Sequence, residues 1–237
     1  MDRTLPASVL LLALVFGMFE CTAIDIALQD RFFDFHTGTW CVSPDARWPR
    51  LLCYDAPKAA LWLTGLFLLV LACAPAGWRT RLPLQAAARR DLWICVGTLA
   101  LAPAIVAGGK AATNVFTPRE IRRYGGFAPY VKVAEAYPPD DHPSKRGRGF
   151  PAGHASGGFA LFSLSGLART RRARAAGVLA GLGAGGVMGL YQMLRGAHFL
   201  SHTLVSALVC WIVFLALRRV RHPSQVTHPA GCVRCPS

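Results

Sequence analysis

Six blocks of predominantly apolar residues, each about 20 long, punctuate this chain, and that is the length a helix needs to cross roughly 30 Å of hydrocarbon. They run at about 5–28, 57–76, 92–109, 153–168, 175–194 and 199–217. With 53% of the 237 residues hydrophobic, the pattern predicts an all-α polytopic membrane protein with six transmembrane helices, a single membrane domain over 1–237. Arg3 ahead of the first block imitates a signal peptide. The block nevertheless carries Glu20 and Asp25 and is long enough to span, so it reads as a retained helix.

A net charge of +14 in a soluble protein would point to nucleic acid, but in a membrane protein the arginines first report orientation. Short, nearly acid-free connections hold Arg79, Arg81, Arg89 and Arg90 (77–91) and Arg169, Arg171, Arg172 and Arg174 (169–174). The tail, 218–237, adds Arg218, Arg219, Arg221 and Arg234. With Arg3 these make half of the 26 basic residues, and their density places both termini and the tail in the cytoplasm. The segments 29–56 and 110–152 then face outward. In the first, Arg31, Arg47, Arg50 and Lys58 are balanced by Asp30, Asp34, Asp45 and Asp55. The second keeps a basic excess through Lys110, Arg119, Arg122, Arg123, Lys132, Lys145, Arg146 and Arg148, which an anionic substrate explains.

Tyr124, Phe127, Tyr130, Tyr137, Pro138 and Pro139 favour an ordered cap over the membrane surface in 110–152. Cys41 and Cys53 share the first outer segment, where a disulfide is expected. The CxxC of Cys232 and Cys235 lacks a second pair and is not read as a zinc or redox site. Gly177, Gly181, Gly185 and Gly189 recur every four residues, predicting a groove for close helix packing.

Three polar clusters fall on the outward side at one depth. They are Lys110 with Thr117 and Pro118, the stretch Gly149 to Gly157 around His154, and Arg195 to His202. Phosphate-ester hydrolysis without a metal needs a nucleophile, an acid for the leaving oxygen, and cations or amides on the non-bridging oxygens. Two separated histidines supply the first two roles, and Lys110 and Arg195 the charge. Gly153 is read as opening a helix whose free amides face the phosphate. Arg195, His198 and His202 are spaced to share one face of a helix, which would let His202 fix the tautomer of His198. No metal or other cofactor is expected, because no carboxylate or thiolate set accompanies the histidines.

The clusters resemble the type 2 phosphatidic acid phosphatase family, whose relatives include bacterial lipid phosphatases and vanadium haloperoxidases. That family has a lysine seven residues before Arg-Pro, then Pro-Ser-Gly-His, then Ser-Arg. A histidine stands six residues after that arginine, with an aspartate four beyond. The resemblance covers about 110–202 and implies His198 as the nucleophile, His154 as the general acid and Lys110 as a phosphate ligand. Thr117, Ala152, Gln192 and His202 stand where the pattern has arginine, serine, arginine and aspartate. Arg195 lies one turn from Gln192, and Arg119, Arg122 or Arg123 is expected to replace the cation missing at Thr117.

The expected function is a lipid phosphate phosphatase of a bacterial-type inner membrane with its site facing outward. It would act through a phosphohistidine on an isoprenoid diphosphate, phosphatidylglycerol phosphate or lipid A phosphate. The catalytic residues would be His198, His154 and His202, with Lys110, Arg195, Gly153 and Arg119 binding substrate. A phosphotransferase on the same lipids and a non-catalytic lipid-binding or transport protein are the alternatives. The expected partners are the lipid phosphate and the membrane, not nucleic acid.

Overall fold

The structure is a computed structural model that describes residues 3–75, 77 and 88–220. Arg79, Arg81, Arg221, Arg234, Cys232 and Cys235 lie outside the described residues. The apolar blocks become helices because a backbone in hydrocarbon must satisfy its own hydrogen bonds. Helix α1 is Thr4–Cys21, α2 is Ile24–Gln29, and a two-stranded hairpin follows with β1 at Phe33–Asp34 and β2 at Thr39–Trp40. Helix α3 runs over Arg47–Cys73, α4 over Arg89–Ala112, α5 over Gly153–Phe159, α6 over Arg171–Leu194 and α7 over Leu200–Val220.

Among the described residues, five helices (α1, α3, α4, α6 and α7) are long and apolar enough to cross a membrane. The chain is an all-α integral membrane protein. Large apolar side chains such as Leu14, Trp62, Leu63 and Leu179 stay exposed on these helices, as lipid-facing positions do.

The expected fourth span is built differently. Helix α5 has seven residues and tightens into a 3₁₀ segment, Ala160–Gly166. At about 1.5 and 2.0 Å per residue the two parts rise roughly 25 Å, so the stretched helix covers much of the membrane depth with few residues. The first block also divides, because α1 stops at Cys21 and Asp25 belongs to the separate α2.

The glycine stripe explains the packing of this segment. A Cβ on Gly177 would stand 2.5 Å from the Ser165 nitrogen, and one on Gly181 2.8 Å from the Phe162 nitrogen. Gly185 lies likewise against the Phe159 ring and Gly189 against Thr203. Helix α6 therefore meets the α5–3₁₀ segment almost backbone to backbone, as the repeat of four predicts.

Helix α3 begins ten residues before the apolar block suggests, with a π-helical turn over Leu51–Asp55. Pro57 follows that turn, whose wider winding makes room for a ring that would otherwise meet the carbonyl one turn earlier. Cys53 is held in this turn while Cys41 closes the hairpin through its amide on the Phe32 carbonyl. Both are free thiols, so the expected disulfide is not formed, each cysteine being fixed by its own element.

Residues 113–152 form an ordered cap. Phe116, Ile121, Tyr124, Ala128 and Phe199 make its core, with Phe33 and Trp40 of the hairpin packed against them. Arg123 reaches Asp30 at 2.7 Å and the Tyr124 hydroxyl donates to the same carboxylate at 2.9 Å, tying the cap to the N-terminal third.

Candidate active site

At the end of the bundle under this cap, a cavity of about 500 Å³ gathers residues that lie far apart in sequence. Arg50 and Tyr54 come from the first turns of α3, Lys110 from the last turn of α4, and Arg119, Glu120, Arg146 and Arg148 from the cap. His154 comes from α5, while Gln192, Arg195 and His198 come from the junction of α6 and α7.

Lys110 reaches the cavity because α4 runs to Ala112 before Thr113 turns the chain. Its side chain lies along Gly153, where a Cβ would sit 3.2 Å from Lys110 Cε. The absence of a side chain at Gly153 thus makes room for the ammonium. The helix Gly153 opens is only two turns long before it tightens, so the charged side chains, more than its dipole, set the field here. His154 is held by Tyr54, whose hydroxyl lies 2.9 Å from Nε2.

Arg195, His198 and His202 do not share a helix. Helix α6 ends at Leu194, and Gly196 takes a left-handed conformation with φ of 69° beneath the Trp40 ring, which reverses the chain before α7. His198 therefore sits in the connection and His202 in the first turn of α7. Their Nδ1 atoms still approach to 3.4 Å. Burial, and next the Lys110 ammonium, push the His198 imidazole well below its ordinary value, so it is neutral at pH 7. The rings of His154 and His198 are 6.4 Å apart, centroid to centroid.

Lys110, Arg119, His154, Arg195 and His198 line the cavity together, and Gly153 touches Lys110. His202 lies behind His198, buried between Phe150 and Phe199, and does not line the cavity. Of the three arginines expected to stand in for Thr117, Arg122 is paired with Asp141 and Arg123 with Asp30, which leaves Arg119. The Arg119 amide is anchored on the Gly196 carbonyl at 2.9 Å. Thr117 closes its own turn by donating from nitrogen and hydroxyl to Glu120, at 2.9 and 2.6 Å. Ala152 is fully buried, its amide donating to the His202 carbonyl at 3.1 Å. Arg195 donates to the Tyr191 hydroxyl at 3.2 Å and leaves Nε buried without a partner among the described residues.

A family model for the PAP2 superfamily matches residues 91–225, more than half of the chain and all three polar clusters. The chain belongs to the PAP2 superfamily. No curated protein and no solved structure matches it. Members of the superfamily are phosphatases, so this PAP2 protein is a phosphoric monoester hydrolase, with lipid-type substrates in general.

Sequence reasoning missed Arg50 and Tyr54, which lie outside the matched region of this PAP2 protein, as well as the placement of Arg146 and Arg148. It also missed Asp25, a buried carboxylate that accepts from the Ser201 nitrogen at 2.9 Å and from its hydroxyl. This contact fixes the start of α7 next to His202. An acid inside an apolar block was the available signal, since such groups are rarely left without a partner.

Proposed function

We propose that this PAP2 phosphatase removes a phosphate from a membrane lipid at the outer face of the membrane, through a phosphohistidine on His198. The observation that carries this reading is the pair of imidazoles, 6.4 Å apart, facing one cavity with Lys110, Arg119 and Arg195. The neutral His198, with Nδ1 turned to His202, offers Nε2 to phosphorus. As the nitrogen–phosphorus bond forms, the bond from phosphorus to the lipid oxygen breaks and His154 gives that oxygen a proton. Water then attacks the phosphohistidine, His154 takes the water's proton, and inorganic phosphate leaves with His198 restored. The cations hold the non-bridging oxygens throughout, where charge resides in a loose transition state.

A lipid substrate is favoured by an apolar groove of about 490 Å³ between α3 and α4, lined by Leu61, Trp62, Leu66 and Pro103, which ends at Gly153 and His154. A chain lying there would deliver its headgroup to the acid. An isoprenoid diphosphate, phosphatidylglycerol phosphate and a lipid A phosphate all have this form. Arg89, Arg90, Arg171, Arg172, Arg218 and Arg219 lie at the opposite end of the helices, and arginine-rich ends face the cytoplasm. This supports the reading that the cavity faces the exterior or periplasm, as it would in a bacterial-type inner membrane.

The test is release of phosphate from a panel of lipid phosphates by the purified protein and by His198→Ala. Turnover should vanish in the variant, and acid-labile labelling of His198 should be trapped from the active protein. A His198→Ala protein that works at the wild-type rate would overturn the mechanism.

A further inference from the structure

The segment Arg146–Gly147–Arg148–Gly149 alternates exposed arginine with buried glycine. Both glycines lie on the backbone of residues 115–116. A Cβ on Gly147 would stand 2.6 Å from the Val115 carbonyl carbon, and one on Gly149 2.9 Å from that of Phe116. Their amides are fixed too, Gly147 donating to Asn114 Oδ1 at 2.7 Å and Gly149 to the Val115 oxygen at 2.6 Å. Exposure alternates with burial along these four residues, so with the glycines seated both arginines turn outward. That side is the cavity wall, and both arginines line it.

The charge around this cavity exceeds what one phosphate requires. Arg50, Lys110, Arg119, Arg146, Arg148 and Arg195 line it; among the described residues Arg50 pairs with Asp55 at 3.4 Å, and the lining carboxylate, Glu120, is already occupied by Thr117. A phosphate monoester carries about −1.5 to −2 charges at neutral pH. Lys110 and Arg195 beside the two histidines already answer that. Arg148 has no hydrogen-bonded partner among the described residues, while Arg146 donates to the Ala112 carbonyl at 2.9 Å and keeps other donors for a ligand.

We propose that Arg146 and Arg148 form a second anion subsite, which takes the non-reacting phosphate of a lipid diphosphate while the terminal phosphate meets His198. The proposal rests on the reading of Lys110, His154 and His198 as the reacting subsite. It singles out the diphosphate from the lipid phosphates named above. The leaving group is then a lipid monophosphate, whose oxygen departs with little need of a proton.

The experiment measures binding of inorganic pyrophosphate and of inorganic phosphate to the purified full chain in detergent, so that it does not depend on turnover. Pyrophosphate should bind at least tenfold more tightly than phosphate, the effect of one added charge-assisted contact. The preference should persist in His198→Ala. It should fall to about threefold or less in the double variant Arg146→Ala with Arg148→Ala, through weaker pyrophosphate binding. Both side chains are exposed, so their truncation leaves the core intact. A double Arg→Lys variant should recover only part of the preference, since lysine lacks the forked donor set. Equal affinity for the two anions in the wild type, or a double variant that weakens both alike as general attraction would, overturns the proposal. Full activity of His198→Ala on lipid would instead sink the reading of the reacting subsite, whatever the pyrophosphate ratio.

Discussion

The Tyr54 hydroxyl lies 2.9 Å from Nε2 of His154, joining the π-helical turn of α3 to the opening of α5 across 100 positions of chain. The contact orients the imidazole proposed to move the proton. Tyr54→Phe is expected to lower kcat/KM for a lipid monophosphate by about tenfold, less than the hundredfold or more expected of His154→Ala. Neither change should much affect an activated aryl phosphate, whose leaving oxygen needs no acid. Equal losses on both substrates would separate Tyr54 from the acid function.

His198 supplies a pH dependence. Its folded-state proton affinity is depressed, by burial first and by Lys110 second, relative to 6.5 in the unfolded chain. Below pH 6.5 the unfolded state therefore takes up the proton first, and stability falls as pH falls. Thermal unfolding in detergent should move to lower temperature between pH 7 and pH 5, and His198→Gln should remove part of that shift. An identical shift in the variant would count against a neutral buried His198.

The seat of α6 can be tested with two alanines. Gly177→Ala would push Cβ to 2.5 Å from the Ser165 nitrogen, and overpacking of this kind costs about 1–3 kcal/mol. Gly183, with nothing within 4 Å of its would-be Cβ, should accept alanine without loss and with a slight gain in helix propensity. Melting temperatures of the two variants should differ in that order.

Orientation has its own test. In a background without native cysteines, a cysteine at Ser144 should react with an impermeant thiol reagent applied to intact cells, and one at Arg172 should not. The reverse pattern would move the cavity to the cytoplasmic side.

Much of this arrangement was legible because apolar length and charge density act locally along the chain. Blocks of about 20 residues marked the bundle, and the fourfold repeat of Gly177 to Gly189 announced the closest helix contact. Lys110, His154 and His198 were each read at the same end, and they meet. Less legible was anything set by a backbone departure. The π turn at Leu51–Asp55 brings Arg50 and Tyr54 into the cavity from a stretch that reads as loop. Gly196 breaks a spacing that had looked helical through Arg195, His198 and His202. The 3₁₀ winding after Phe159 stretched a span whose composition resembles any other. The pairing of Arg122 and Arg123 in ion pairs, which left Arg119 for the cavity, depended on partners at Asp141 and Asp30 that no local pattern signals.

The turn carrying His198 is gripped by residues that precede the region matched by the superfamily. Gln29 donates to the Met193 carbonyl at 2.8 Å, the Val42 amide to the Leu194 carbonyl at 3.2 Å, Asp25 receives Ser201, and the Trp40 ring lies over Gly196. These contacts make the first third of the chain a mould for the histidine turn, so the two stretches are constrained to evolve together. A hairpin one residue longer or shorter would slide Trp40 off Gly196, and a side chain could then arise there only at the expense of the turn. A graft of residues 91–220 onto the N-terminal helices of another superfamily member should accordingly carry every polar cluster and still lack their alignment.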